Sequence, residues 1–169
     1  MALFGGSIEN LSSLYTTQLR FLLSTEEQIV EALPDMIAAA SDSQLKDALQ
    51  SHLQETEIHA ERLEDILSEL TGDVDSKKCA VTAALIAAGE TTVKATEDAA
   101  VRDAGIIASA QKIEHFEIAS YGTLRNWAQI LGYSEQAAIL EQTLNEEGHA
   151  DQLLTKISNR ANPNAAMAA

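Results

Sequence analysis

Apolar residues recur at alternating spacings of three and four along most of this chain, and acidic residues interrupt the pattern near the middle of each long segment. That spacing is typical of one face of an α-helix. Only two prolines and eight glycines occur in 169 residues, so few positions break a helix. One Trp, three Tyr and three Phe leave little from which to build a sheet. We therefore predict an all-α fold made of long helices.

Stripes and capping signals divide the chain into five predicted helices, at about 7–36, 41–71, 77–98, 101–131 and 134–160. Pro34 should loosen the last turn of the first helix. Residues 41–44 form a capping box that should start the second helix, and Ser134 is the expected N-cap of the fifth. Asn162-Pro163-Asn164 should end the fifth helix. We thus predict one domain over 1–160 and a mobile Ala-rich tail over 161–169.

The charge balance excludes several classes of partner. Eleven Lys and Arg stand against 26 Asp and Glu, a formal net charge of −15. Such a chain lacks the basic footprint that nucleic-acid binding requires, and anionic lipid would repel it. The sequence also has no apolar run of membrane-spanning length, no signal-peptide pattern, and only one cysteine, Cys79. We expect a cytoplasmic protein without nucleic-acid or membrane partners.

Each of the four long predicted helices carries acidic residues within its apolar stripe; Glu26, for example, lies between Leu22 and Ile29. A buried carboxylate without a partner is costly or stays protonated, so several in one core require bridging cations. Oxygen ligands combined with imidazole suit iron or manganese. The predicted metal ligands are Glu26, Glu55, His59, Glu114, Glu117, Glu147 and Asp151.

The ligand set leaves alternatives open. The known recipe for two-metal bundles uses one Glu from each of two helices and Glu-x-x-His from each of the other two. In the second helix, Glu55 has His59 four residues later or His52 three residues earlier, and neither pair fits the recipe. The fifth helix offers Glu146 with His149, but the stripe through Glu147 is more apolar, so we favour Glu147. The alternate ligands are His52, Glu146 and His149, and Asp151 could orient a ligand instead of binding metal.

Several motifs together carry a family resemblance. The most specific is QKIEHFEIA at 111–119, followed by YGTL at 121–124. Others are Glu26-x-Gln28, HLxET at 52–56, Lys78-Cys79, AVRDA at 100–104 and TLxEE at 143–147. Over about residues 8–157 the chain resembles the YciE/YciF family of bacterial stress-associated ferritin-like proteins. His59 and His149 depart from the family pattern, which has Gln and an Ala-like residue there.

The resemblance implies a ferritin-like four-helix bundle with an additional helix in the long crossover connection, commonly dimeric, with a two-metal carboxylate site. We expect two irons per chain, with manganese as the alternative. Glu26 and Glu147 would each hold one ion, while Glu55 and Glu114 or Glu117 would bridge. The expected chemistry is oxidation of ferrous iron by oxygen or peroxide.

A second interpretation is a dimeric structural or interaction protein of the stress response with a vacant or vestigial site. Its motivation is the segment Ala80–Ala88, which is apolar nearly all round. Such a segment should be buried or lie in a subunit contact.

Overall fold

The computed structural model describes residues 8–168, and these residues form five helices. Helix α1 spans Leu11–Ala39, α2 Ser43–Thr71, α3 Ala80–Lys94, α4 Ala99–Leu131 and α5 Ser134–Ala166. Helices α1, α2, α4 and α5 pack side by side as a bundle, and α3 lies against α1 and α4. The predicted ferritin-like four-helix bundle with an additional crossover helix is confirmed.

The direction of the helices explains the crossover. α1 and α2 are antiparallel neighbours, as are α4 and α5. α1 is also antiparallel to α4, because Glu26 meets Tyr121 while Ala39, further along α1, meets Arg102. α2 and α4 therefore run parallel, and the chain between them must return along the length of the bundle. Helix α3 lies in this return.

Side-chain caps start three of the helices. Asn10 caps α1 in a capping box with Ser13, Asp42 accepts hydrogen bonds from two backbone N–H groups of α2, and Asp98 caps α4. The capping box predicted at 41–44 was wrong, because the N-cap of α2 is Asp42 and not Ser41. The predicted N-cap of α5 was wrong too. Ser134 is the first helical residue, and Tyr133 precedes it without a side-chain cap bond. The predicted start of the first helix, at residue 7, lies outside the described residues.

α5 continues past its predicted end near Arg160 and reaches Ala166. Pro163, the local signal behind that prediction, lies inside the helix. Contacts with the start of α2 stabilise this extra length of helix despite the proline. Ala161 is buried in the same apolar cluster as Leu45, and Arg160 pairs with Asp42. The predicted domain end at 160 therefore falls within a helix. The mobility of the tail stays a prediction, and residue 169 lies outside the described residues.

Helix α3 is less buried than the apolar character of its segment Ala80–Ala88 led us to expect. Within Ala80–Ala88 only Thr82 is buried, and Val81 is 52% exposed. One side of α3 covers the α1–α4 face while the other faces outwards. Burial of the whole segment within the chain is thus excluded, and a subunit contact stays a prediction. In the described part of the chain, no helix is long and apolar enough to cross a membrane.

The core of the bundle consists of two apolar clusters with a polar layer between them. The first cluster contains Tyr15, Leu19, Leu22, Leu23, Leu63, Ile66, Leu67, Tyr121, Leu124, Ala128, Ala137 and Leu140. The second contains Ile29, Leu33, Ala40, Leu45, Leu49, Ile106, Ile107, Leu154, Ile157 and Ala161. Along each bundle helix, the residues between the two clusters include a buried Glu or His.

Candidate metal centre

Six buried ionisable side chains occupy the polar layer: Glu26, His52, His59, Glu114, Glu117 and Glu147. None of them is more than 7% exposed. α2 contributes two imidazoles seven residues apart, which is two helical turns, so both face the same way. α4 contributes two carboxylates three residues apart, while α1 and α5 contribute one each. We call these six residues the buried cluster.

The ligand atoms of the buried cluster fall into two groups. One atom from each of His52, Glu114, Glu117 and Glu147 lies within 4.8 Å of the others. The same holds for Glu26, His59 and Glu147, so Glu147 belongs to both groups. Ligand atoms on opposite sides of an ion with bonds of about 2.1 Å are about 4.2 Å apart. Small side-chain movements would therefore close either group around an ion.

Close contacts link the helices within this layer. His59 Nδ1 lies 2.9 Å from Glu147 Oε1 and 3.9 Å from Glu26 Oε2. The Tyr121 hydroxyl donates a hydrogen bond of 2.6 Å to Glu26 Oε1. On the other side, His52 Nε2 lies 3.2 Å from Glu114 Oε1. The imidazoles of α2 thus face the carboxylates of all three other bundle helices.

Residues at the outer edge of the polar layer orient the imidazole of His59. His59 Nε2 lies 2.9 Å from Glu146 Oε2, and Arg62 donates to both oxygens of Glu146. Partial burial would raise the pKa of Glu146, but the hydrogen bonds from Arg62, Gln142 and His59 lower it to about 2. A neutral His59 that donates its Nε2 proton to this carboxylate would present the lone pair of Nδ1 to the layer. This carboxylate–imidazole arrangement is the usual support of a metal-binding histidine.

The carboxyl groups of the layer resist ionisation without cations. Burial, and next the charge of Glu147, raise the pKa of Glu26 to about 8. The same two causes raise the pKa values of Glu114 and Glu117 well above the usual range. Burial lowers the pKa of His52, so this imidazole tends to stay neutral, the form that binds metal. Positive charge would be needed to keep these carboxyl groups ionised at neutral pH.

Unpartnered polar atoms show where that charge fits. Within residues 8–168, no hydrogen bond reaches Oε2 of Glu26, Glu114 and Glu147, either carboxylate oxygen of Glu117, or Nδ1 of His52. A buried polar group without a partner costs about 1–3 kcal/mol. Two divalent ions would balance the four carboxylates in charge. Four Glu and two His are also the donors of the two-metal bundle recipe, here with both imidazoles on one helix. The residues present therefore fit a pair of divalent metal ions.

Five of the seven predicted ligands lie together in this layer: Glu26, His59, Glu114, Glu117 and Glu147. The structure adds His52, which the sequence offered only as an alternate. The sequence did contain a signal for His52: it lies seven residues before His59, which places both side chains on the same face of α2.

Glu55 and Asp151 lie outside both groups of ligand atoms. The Glu55 side chain is 47% exposed, and its Oε2 lies 4.0 Å from His52 Nδ1. Asp151 accepts a hydrogen bond from Gln111 and lies 3.4 Å from His115 Nε2. Glu55 is about 60° around α2 from His52, which moves it from the inner face to the edge. The alternates Glu146 and His149 also lie outside the two groups.

Comparison with known proteins places the fold in a family. A family described as a domain of unknown function, DUF892, matches residues 10–167. Protein YciF from Escherichia coli K12 is 40% identical over 144 residues, which cover 84% of this chain and 87% of that protein.

Solved structures agree with the family match. The crystal structure of the E. coli stress protein YciF matches with a TM-score of 0.88 and 34% identity, over 92% of this chain and 99% of that chain. YcfI from Rhodopseudomonas palustris, described as a candidate structural protein, matches with a TM-score of 0.87 and 37% identity, over 90% and 98%. A Xanthomonas campestris protein with 20% identity and a TM-score of 0.72 supports the fold alone. The predicted family is confirmed: the chain belongs to the DUF892 family and is a relative of YciF.

Proposed function

We propose that this protein is a YciF-like stress-response protein that holds two metal ions, iron in preference to manganese, in its polar layer. The observation that carries the proposal is the position of Glu147 in both groups of buried ligand atoms. A carboxylate shared in this way can bridge two ions. Oxygen donors with imidazole suit iron or manganese. We place the protein in the cytoplasm on the sequence argument alone.

Each cluster residue has a proposed role. Glu26 and His59 would hold one ion, while His52, Glu114 and Glu117 would hold the other. Glu147 would be shared between them, in place of Glu55 and of Glu114 or Glu117, which the sequence suggested for that role. The opposed contacts of His59 with Glu146 and Glu147 support this assignment, because they direct one ring nitrogen outwards and the other inwards.

The proposed chemistry is oxidation of ferrous iron by oxygen or peroxide. A bound pair of ferrous ions supplies two electrons, enough to reduce one hydrogen peroxide, with two protons, to two waters. An apolar cluster on either side shields the layer from water along the axis of the bundle. Tyr121 keeps its proton on the hydroxyl oxygen, because burial raises its pKa well above the usual range, and it holds Glu26 in place.

The test is anaerobic loading with two equivalents of ferrous iron, followed by rapid mixing with oxygen or peroxide. Wild type should give a near-ultraviolet absorbance change that requires the oxidant. Glu147→Gln should lose the change, whereas Glu57→Gln, at an exposed position of α2, should retain it. An absorbance change that is the same in wild type and Glu147→Gln would contradict the proposal.

A second candidate function is a homodimeric structural or interaction protein whose polar layer holds no metal in the cell. The outward face of α3, including the half-exposed Val81, favours it, and YcfI is described in structural terms. In that case the acids of the layer are protonated, and metal leaves the melting temperature unchanged.

A further inference from the structure

A cleft of about 230 Å³ lies between α2 and α5 and reaches the buried cluster. Exposed Ser51 and His149 and half-exposed Glu55 line its outer part, and buried His52 and Glu114 line its inner part. The remaining lining residues are apolar, and none is Lys or Arg. A cleft of this volume has room for an ion with several water molecules.

The inner end of the cleft has unsatisfied ligand atoms. His52 is 7% exposed, and its Nδ1 has no hydrogen-bond partner within residues 8–168. That nitrogen lies 4.0 Å from Glu55 Oε2, while Nε2 of the same ring lies 3.2 Å from Glu114 Oε1. The imidazole of His52 thus stands between the mouth of the cleft and the buried carboxylates.

We propose that this cleft is the uptake route for divalent ions of the first transition series, and that Glu55, His149 and Nδ1 of His52 form a transient binding site at its mouth. The inference rests on the proposed two-metal function. Carboxylate and imidazole together select such ions over Mg²⁺ and Ca²⁺, which prefer oxygen alone. An ion held between Glu55 and His52 is one ring away from the ligand atoms of Glu114.

A second cavity, lined by residues of α1, α3 and α4, is less suited to the uptake of metal ions. It has a volume of about 450 Å³ and is lined mainly by apolar residues, among them Phe21, Phe116 and Trp127. None of the six buried-cluster residues lines it. The cleft between α2 and α5 combines negative charge at its mouth with direct contact to the cluster, and negative charge accelerates cation capture.

The test is the rate of cobalt(II) uptake by the metal-free full chain, followed by visible absorbance after rapid mixing. Final cobalt content is measured by mass spectrometry. The double variant Glu55→Gln, His149→Ala should take up cobalt about tenfold more slowly and still bind two ions. The matched control is Glu57→Gln, His115→Ala, at exposed positions outside the cleft, which should keep the wild-type rate.

A second pair of variants changes charge without removing a ligand. Ser51→Lys places a positive charge at the mouth, whereas Gln54→Lys places one at an exposed site on α2 outside the cleft. Ser51→Lys should slow uptake more than Gln54→Lys, and added salt should reduce the difference. Thermal melts of the metal-free variants check that each one folds.

The outcomes separate the route from the site. Equal uptake rates in all variants, with two cobalt ions bound, would overturn the route and leave the two-metal site standing. A lower final cobalt content in the Glu55→Gln, His149→Ala variant would overturn the transient role and make one of the two a permanent ligand. Failure of wild type to bind cobalt would overturn the proposed function and the route with it.

Discussion

His59 and Glu146 are joined at 2.9 Å, Nε2 to Oε2, while Nδ1 of the same ring lies 2.9 Å from the next residue of α5, Glu147. Two consecutive glutamates thus contact opposite nitrogens of one imidazole. Arg62 keeps Glu146 ionised, so Glu146 acts as the hydrogen-bond acceptor at the edge. The two glutamates therefore have different surroundings: Glu146 pairs with Arg62 at the edge of the layer, whereas Glu147 is buried among the candidate ligand atoms.

Glu146→Gln should weaken metal binding without abolishing it. The amide removes the charge that holds the Nε2 proton of His59, and loss of such a supporting partner costs about 10–100-fold in metal affinity. The measurement is a competition titration with a coloured chelator. Glu141→Gln is the matched control, because Glu141 lies on the same helix and pairs with Arg125 at the surface. Equal affinities for Glu146→Gln and wild type would show that Glu146 does not support a metal ligand.

The metal-free protein should lose stability as the pH rises. The pKa of Glu26 is about 8 in the folded protein against 4.5 ordinarily, so its proton favours the folded state. That contribution is fully present below pH 4.5 and is lost as the pH rises through 8, at up to about 1.4 kcal/mol per pH unit. The raised pKa values of Glu114, Glu117 and His59 act in the same direction.

Urea unfolding of chelator-treated protein between pH 5 and 9 measures this loss. Glu117→Gln removes one buried ionisable group while keeping its shape, and should flatten the profile. A free energy of unfolding that stays constant or increases over this range would contradict the raised pKa values of these buried carboxyl groups.

Metal should raise the melting temperature. An ion that binds only the folded state at 100 times its dissociation constant stabilises it by about 2.7 kcal/mol. For a chain of this size, that corresponds to a rise of roughly 5–10 °C. Differential scanning calorimetry with manganese(II) or anaerobic ferrous iron measures the effect, and a chelator should reverse it. An unchanged melting temperature would favour the structural alternative.

The sequence was informative where an acid stands alone in an apolar stripe. Glu26 has Leu22 and Ile29 one turn away on either side of the same stripe, so the helix that buries the stripe must bury the acid. The same patterns predicted the bundle, because the four long stripes need one another to be covered.

Prediction was weaker where neighbouring residues compete for one face. His52 and Glu55 differ by about 60° around α2, and the rotation of that helix is set by Leu49 and Leu63 in the two apolar clusters. The end of α5 likewise depends on Ala161, whose burial no local pattern announces. In both cases tertiary packing decided between local alternatives.

Metal content per chain tests the central claim most directly. It should be measured by plasma mass spectrometry on protein reconstituted anaerobically with ferrous iron and freed of excess metal. We expect about two irons in wild type and in Glu57→Gln, one in Glu26→Gln, and less than one in Glu147→Gln, because Glu147 alone belongs to both ligand groups. Absence of bound metal in wild type, or two irons in Glu147→Gln, would contradict a two-metal centre in this layer.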